Sequence, residues 1–379
     1  MSPDDFAIFA EIFCDMWLFF IVLPIAYLAG NFYIFRKGKQ ALKTWPTGLK
    51  AIIAFLFWGS AFAFFGSFGL RNTELPTLLA QVITQLGTGW LVFALYMTLS
   101  LFTFDLLRVI HHPFKHSFGL SFALTISLLA YGNYRYQHPS IKVINRVINK
   151  SLKTYEPSLK VVAVSDIHLG YSTNKAMLKE YVEKINAQHP DVILIGGDLI
   201  DSTVKPLWEQ RMQEELAQLK APLGIYMVPG NHEYISDINA SAEFIKQTPI
   251  VLLRDSIALL PNGIQIIGRD DRMNKKRKSL AALTVQLAKD KPSILLDHQP
   301  YDLGETVDAG IDLQFSGHTH RGQIWPISWI VDRLFEVSHG FKKEKNSMIY
   351  VSSGLSLWGP PFRIGTDSEL VVFNITFNK

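Results

Sequence analysis

Five short clusters carry the side chains able to hold cations and move protons: Asp166-Ile-His168, Gly197-Asp198-Leu-Ile-Asp201, Gly230-Asn231-His232-Glu233, Asp297-His298-Gln299 and Gly317-His318-Thr-His320. Each follows an apolar run and opens a turn, where a sheet presents side chains to a crevice. Residues i and i+2 of a strand share a face, so the spacing predicts that Asp166 and His168 bind one ion, and that His318 and His320 can do the same. Glycines 197, 230 and 317 leave the backbone free to turn beside bulky ligands. Carboxylate, imidazole and amide donors without a thiolate suit Mn, Fe or Zn. Asp198, with two oxygens, is the natural bridge between two divalent ions about 3.5–4 Å apart, an arrangement that activates a shared water and clamps a phosphoryl centre. His232 has no necessary ligand role and is expected to protonate the leaving oxygen, with Asp201 orienting its imidazole.

Taken singly, these clusters have plainer readings. A lone Asp-x-His is usually a surface turn, GNHE can be a capped helix start, and Asp201 can be a helix cap. Their joint order, with five of the eleven histidines at strand ends, points to one metal centre. His339 has no neighbouring ligand and is left out; His111, His112 and His116 read as solvated loop residues.

The elements that must position these clusters alternate. Strands are expected at 159–166, 191–198 and 224–230, with helices at 174–188 and 205–220 between them, a β-α-β-α-β pattern. Further strands are predicted at 249–260, 263–268, 293–297, 311–316, 348–352 and 369–376. Residues 136–158 form a polar connector whose IKVINRVI stretch alternates like a strand, and RMNKKRK (272–278) reads as a solvated basic loop.

The motifs SDIHLG, GGDLID, VPGNHE, DHQP and GHTHRGQ resemble those of the calcineurin-like metallophosphoesterase superfamily over about residues 159–376, in particular its membrane-associated branch of YkuE/YaeI-like and transmembrane metallophosphoesterases. The resemblance implies a four-layer α/β/β/α sandwich. It implies Asp166, His168, Asp198 and His320 at one metal and Asp198, Asn231, His298 and His318 at the other, with His232 contacting the substrate phosphate. Two departures stand out. Arg321 replaces the usual Gly of GHTHGGQ and puts a cation near the metals, where it is expected to hold a phosphate oxygen. Ser-Thr follows Asp201 in place of the Arg-Gly of protein serine/threonine phosphatases, which argues against a phosphoprotein substrate.

Composition separates this region, 159–379, from what precedes it. The chain of 379 residues is 48% hydrophobic and 18% charged with a mean hydropathy of +0.16, against about 25% charged in an average soluble domain. Residues 1–135 hold only 15 of the 70 charged side chains. Four uncharged stretches explain the deficit: 16–35, 51–70, 84–104 and 117–134, each about long enough to cross a bilayer. The acidic start, MSPDDFAIFAEIF, is unlike a cleavable signal peptide, so a retained multi-pass anchor in a bacterial plasma membrane is expected. Asp105 and Arg108 read as an interfacial helix pair. Arg36, Lys37, Lys39, Lys43 and Lys50 place the first loop in the cytoplasm and the C-terminal domain outside, although Arg135, Lys142, Arg146, Lys150 and Lys153 pull the other way. One cysteine, Cys14, excludes a disulfide framework, and a net charge of +4 gives no reason to expect nucleic acid.

The expectation for the whole is a membrane-anchored enzyme that hydrolyses a phosphoester or pyrophosphate bond by attack of metal-activated hydroxide, with the bilayer and a lipid-linked or envelope phosphate compound as partners. The alternatives are a UDP-2,3-diacylglucosamine pyrophosphatase of lipid A synthesis, which needs a cytoplasmic site, a non-catalytic membrane sensor or scaffold, and a nuclease. The apolar run 324–335, with Trp325 and Trp329, has two readings: a core element, or a flap dipping into the bilayer interface.

Overall fold

The computed structural model describes residues 3–69, 75–110, 114–152 and 158–378, with the side chains of 3–20 and 68 outside the description. Arg71, His111, His112 and Lys153 lie outside the described residues. The chain divides into two compact units, Met1–Ala130 and Tyr131–Lys379.

Helices α1 (Pro3–Ala41), α2 (Thr47–Gly69), α3 (Thr77–Ile110) and α4 (Ser117–Gln137) each contain, within a residue, one of the four apolar stretches. Among the described residues, two segments are long and apolar enough to cross a membrane, Thr47–Ser67 and Thr77–Ile110. The first of the expected spans falls partly on residues whose side chains are not described. The fourth is short, and its helix ends in Asn133, Arg135 and Gln137. Within this unit α2 and α3 touch backbone to backbone: a Cβ on Gly87 would lie 2.5 Å from the Ala63 carbonyl oxygen. Asp105 accepts hydrogen bonds from Lys37 Nζ (2.5 Å) and Tyr33 Oη (2.7 Å) of α1, so its close partners are on another helix and not Arg108 one turn on.

The second unit holds two six-stranded sheets. One has the order β1 (Ser140–Ile148), β12 (Glu369–Phe377), β2 (Ser158–Val164), β3 (Val192–Ile195), β4 (Ile225–Met227) and β5 (Ile250–Leu252). The other runs β10 (Gly340–Glu344), β11 (Ser347–Val351), β9 (Leu313–Ser316), β8 (Ser293–Leu296), β7 (Gln265–Gly268) and β6 (Ser256–Leu259). The strand expected within the connector is an edge strand, β1, paired in parallel with β12 from Ser140–Glu369 to Ile148–Phe377.

Period-two patterning explains the layers. Val161, Ala163, Val192 and Leu194 face inward and pack with Ile266, Ile294, Leu296, Leu313 and Phe315 of the other sheet. Their alternates Val162, Val164, Ile193 and Ile195 face outward onto Leu178, Tyr181, Val182 and Ile185 of α5 (Lys175–Asn186) and Phe244 of α9 (Ile238–Ile245). On the far side Ile267 and Leu295 meet Leu280 and Leu283 of α10 (Leu280–Thr284), and Ile349 and Val351 meet Val307 of α11 (Gly304–Asp308). The order is helix, sheet, sheet, helix.

Three expectations are corrected. The helix expected at 205–220 is two short ones, α6 (Lys205–Glu209) and α7 (Gln213–Leu216), with Arg211 between them in the left-handed region at φ 53°. The run 249–260 is not one strand: Asp255, at φ 45°, turns the chain so that β5 joins one sheet and β6 the other. The core reading of 324–335 holds for Ile324, 5% exposed, and fails for the helix beyond it. In α12 (Ile327–Leu334) only Ser328 is buried, whereas Trp329 and Ile330 are 57% exposed and Leu334 70%.

Candidate metal centre

Val164, Ile195 and Met227 are in register at the C-terminal ends of the parallel strands β2, β3 and β4, so the segments that follow leave the sheet side by side. Asp166 N donates to the Gly197 carbonyl and His168 N to that of Asp198, both at 3.0 Å, which ties the first two loops together. Strand pleating is not what aligns Asp166 with His168, because β2 ends at Val164 and β9 at Ser316. Asp166, His168, Asp198, His318 and His320 instead adopt left-handed φ of 56°, 49°, 52°, 74° and 47°. Such values are costly for residues with a Cβ and concentrate at functional sites.

The glycines serve mainly by lacking a side chain. A Cβ on Gly230 would sit 2.1 Å from Asp198 Oδ1, and one on Gly317 2.3 Å from Asp166 Oδ2. Of the three, only Gly197 (φ 97°) has a left-handed backbone, and its Cβ would lie 2.6 Å from His298 Nδ1.

Donor atoms converge in three overlapping groups: Asp166, His168 and His320; His168, Asp198 and His232; Asp198, His298 and His318. His168 Nε2 lies 3.1 Å from His320 Nε2, and His320 Nε2 3.3 Å from Asp166 Oδ1. Asp198 Oδ2 stands between the two sets, 3.8 Å from His168 Nε2 and 3.1 Å from His298 Nε2. Asn231 Oδ1 joins the second set, 3.2 Å from His298 Nε2 and 2.9 Å from His318 Nδ1. All seven expected ligands are therefore gathered.

The site passes a test of fit for divalent ions. Two buried imidazole nitrogens, Nε2 of His168 and Nε2 of His320, face each other at 3.1 Å beside the Asp166 carboxylate. A cation satisfies such donors; a second imidazole does so poorly. Burial and the neighbouring His298 push His318 down to about 3, and burial with His168 pushes His320 well below the usual range, leaving both as neutral ligands. His298 donates Nδ1–H to the Gly196 carbonyl (2.8 Å), which frees its Nε2.

His232 donates Nδ1–H to the main-chain carbonyl of Asp201 at 2.7 Å, while the Asp201 carboxylate is further away at 3.4 Å. The contact of His232 with Asp201 is thus chiefly to its backbone. Burial opposes the charged imidazole, but Asp198 and Asp201 outweigh it and raise His232 to about 9. Arg321 follows His320 at φ 49°, half-buried, and its guanidinium makes no hydrogen bond or ion pair with the described residues.

Two supporting residues escaped the sequence reading. Glu233 is fully buried and accepts from the backbone N–H of Asp198 (3.0 Å), Ile200 (2.9 Å) and Gly230 (2.7 Å). Its signal was the capping pattern of GNHE: it caps α8 (Asn231–Ile235) and fixes the Asp198 loop with the same carboxylate. Arg363, also fully buried, donates to the carbonyls of His320 (2.8 Å) and Ser356 (2.9 Å) and holds the ligand loop against 353–356. Only its placement in the apolar stretch PPFRIG hinted at it. His339, set aside from the ligands, lies 3.2 Å from Glu369. The basic loop is only partly solvated: Arg277 reaches Asp297 and the Asp270 carbonyl, and Arg272 pairs with Asp302 and lies over the Tyr301 ring. Aromatic rings rim the centre, with Phe335 6.1 Å and Tyr301 6.5 Å from His318 and Trp358 6.3 Å from His232.

Known proteins share this pattern. Residues 159–322 match the family model for calcineurin-like phosphoesterases. The chain is 34% identical to a metallophosphoesterase of Campylobacter jejuni, over 63% of this chain and 68% of that one. It is 31% identical to the transmembrane protein with metallophosphoesterase domain of Danio rerio (66% and 61%) and 27% identical to the UDP-2,3-diacylglucosamine pyrophosphatase LpxG of Chlamydia trachomatis (53% and 78%). It spans 61% of the length of the Helicobacter pylori metallophosphoesterases it matches. The ordered ligand loops, the sheets that carry them and these relatives agree: the chain belongs to the calcineurin-like metallophosphoesterase family.

Proposed function

We propose that this protein is a membrane-anchored phosphoesterase with two divalent ions, Mn, Fe or Zn, acting on a phosphoester or pyrophosphate bond of a lipid-linked substrate. The observation that carries the reading is Asp198 Oδ2 standing between two complete donor sets, Asp166/His168/His320 and Asn231/His298/His318. Ions held there supply Lewis acidity that makes water nucleophilic at neutral pH and neutralises phosphate oxygens. The chain's own residues do the rest. His232, fixed through Nδ1, has Nε2 free to give a proton to the leaving oxygen. Asp201 holds that ring, and Arg321, with no other partner among the described residues, is available to a phosphate oxygen.

A lipid-linked substrate is supported by the apolar rim of Phe335, Tyr301 and Trp358, and by helices long enough to cross a membrane in the same chain. A four-span anchor is supported by the four uncharged stretches, and a catalytic unit outside the cell by the Lys and Arg between the first two of them. UDP-2,3-diacylglucosamine pyrophosphatase is the second reading, favoured by the Chlamydia relative and opposed by that orientation. A scaffold predicts eroded ligands, and all seven are present. A nuclease is disfavoured to the extent that Arg272 and Arg277 of the basic loop are paired with Asp302 and Asp297, leaving Lys275 and Lys276 exposed.

The test is hydrolysis of bis-p-nitrophenyl phosphate, phospholipids and UDP-2,3-diacylglucosamine by chelated protein with each metal added back. Metal-restored turnover is expected, highest on a lipid-linked compound. No turnover on any substrate with any of the three metals would overturn the proposal.

A further inference from the structure

α12 is a short helix with an unusual balance. Its apolar residues Ile327, Trp329, Ile330 and Leu334 are 41–70% exposed, and Trp325, just before it, is 39% exposed and set edge-on to Trp329 at 5.3 Å. A core helix buries this face; here it points outward. Its ends are anchored in the metal centre. The turn His320–Gly322 leads into it, and a Cβ on Gly322 would lie 2.9 Å from the Ser328 backbone, so turn and helix are in contact. Phe335 beyond the helix packs on Tyr301 and against the ligand His318.

The root of the helix is tied to the point where the chain enters this unit. Trp325 N donates to the Ile364 carbonyl at 2.7 Å, and Ile324 bridges to Ile364. Ile364 lies where a Cβ on Gly132 would be, 2.6 Å away, and Arg363 N donates to the Gly132 carbonyl at 2.9 Å. Gly132 is flanked by Tyr131 and Tyr134, 53% and 58% exposed, at the end of the helix whose apolar part precedes residue 131. On the four-span reading proposed above, the exposed tyrosines that close this apolar helix mark the membrane–water boundary. The strip that holds α12 is thus bonded to the residues at that boundary.

We infer that α12 with Trp325 is an interfacial element, seated in the headgroup region of the bilayer with Trp329, Ile330 and Leu334 turned into the lipid. The occupant is the lipid surface itself, held by apolar burial and not by charge: Arg333 bonds back to the Trp329 carbonyl, and Lys342 on the following strand is paired with Glu336 and Glu344. The inference goes beyond the hydrolytic reading and stands whether or not the substrate is a lipid.

It is tested without activity, on the full chain in vesicles of phosphatidylethanolamine and phosphatidylglycerol. Cys14, the one cysteine, is replaced (C14S), and a nitroxide is placed through Ile330→Cys, through Leu334→Cys, and at Val285→Cys, which is 82% exposed just past the end of α10. At 330 and 334 the label is expected to be relaxed by oxygen and shielded from a nickel chelate at least about fivefold relative to 285, unchanged in high salt. Equal nickel accessibility at all three sites overturns the inference. Spin–spin broadening at 330 and 334 overturns it in favour of a second copy of the chain. Nickel shielding together with failure to hydrolyse any phosphoester sinks the enzymatic reading alone.

Discussion

Asp198 shows how one carboxylate organises the centre. Its Oδ2 serves both donor sets, its Oδ1 accepts from His232 N at 2.8 Å, and its own N–H is held by Glu233. Asp198→Asn keeps the shape and removes the charge shared by two ions. Hydrolysis is expected to fall to background and metal content to drop below one ion per chain by elemental analysis; full metal loading with unchanged turnover would falsify the bridging role. His232 makes a different prediction. His232→Ala is expected to retain both ions and lose about 10²–10⁴-fold in kcat, the worth of a general acid. Because the hydrogen bond that fixes its ring comes from the Asp201 carbonyl, Asp201→Asn leaves that bond in place. Its expected loss is less than about tenfold, and a loss equal to that of His232→Ala would give the carboxylate the leading role. These candidate positions were legible because each lies where an apolar run ends in a turn, most of them near a glycine. Their left-handed φ values were not, since Asp and His enter that region more often than most residues but no local pattern says which of them do.

At the scale of elements, the strands that carry ligands were read correctly and the reason is burial on both faces. Runs such as VVAV and VILI have no polar side to mislead the pattern, and short parallel strands covered on both faces look alike in any such fold. Failures came where polar residues did structural work. β10, GFKKE, is an exposed edge strand rich in charge, and the sequence offers nothing apolar to flag it. The turn at Asp255 divides one apolar run between two sheets. α8 is five residues long and is defined by Glu233, whose carboxylate satisfies three buried N–H groups at once. Glu233→Ala leaves those donors without partners at about 1–3 kcal/mol each. Even allowing for relaxation, a loss of about 3 kcal/mol is expected, lowering Tm by roughly 6–12 °C in a unit of this size. Metal affinity is expected to fall with it, because the Asp198 loop loses its support. An unchanged melting curve by calorimetry would show that water replaces the carboxylate.

The whole molecule raises the question of sidedness, which composition alone leaves divided. Five basic residues between the first two apolar stretches favour a cytoplasmic connection and an external catalytic unit, while a second basic cluster after the fourth stretch pulls inward. Much of that second cluster has a structural use. Arg135 pairs with Asp367, Lys150 with Asp312 at 2.8 Å, and Arg146 donates to the Asn346 carbonyl. Each therefore has a reason to be basic that is independent of topology, and each bonds within the catalytic unit. Lys142, half-buried, is left as the described member without such a bond, against Arg36, Lys39, Lys43 and Lys50 of the first run, in which Lys37 is bonded to Asp105. A unit of this size can cross the membrane regardless of a few flanking charges, which is why the proposed orientation rests on the first loop. Protease added to intact spheroplasts is expected to cut the catalytic unit, at exposed basic loops such as 272–278, and to leave the first loop protected. Cleavage appearing only after lysis would place the unit in the cytoplasm. It would also move the substrate from an envelope phosphate to a cytoplasmic nucleotide-linked lipid, because only from that side can the centre reach one.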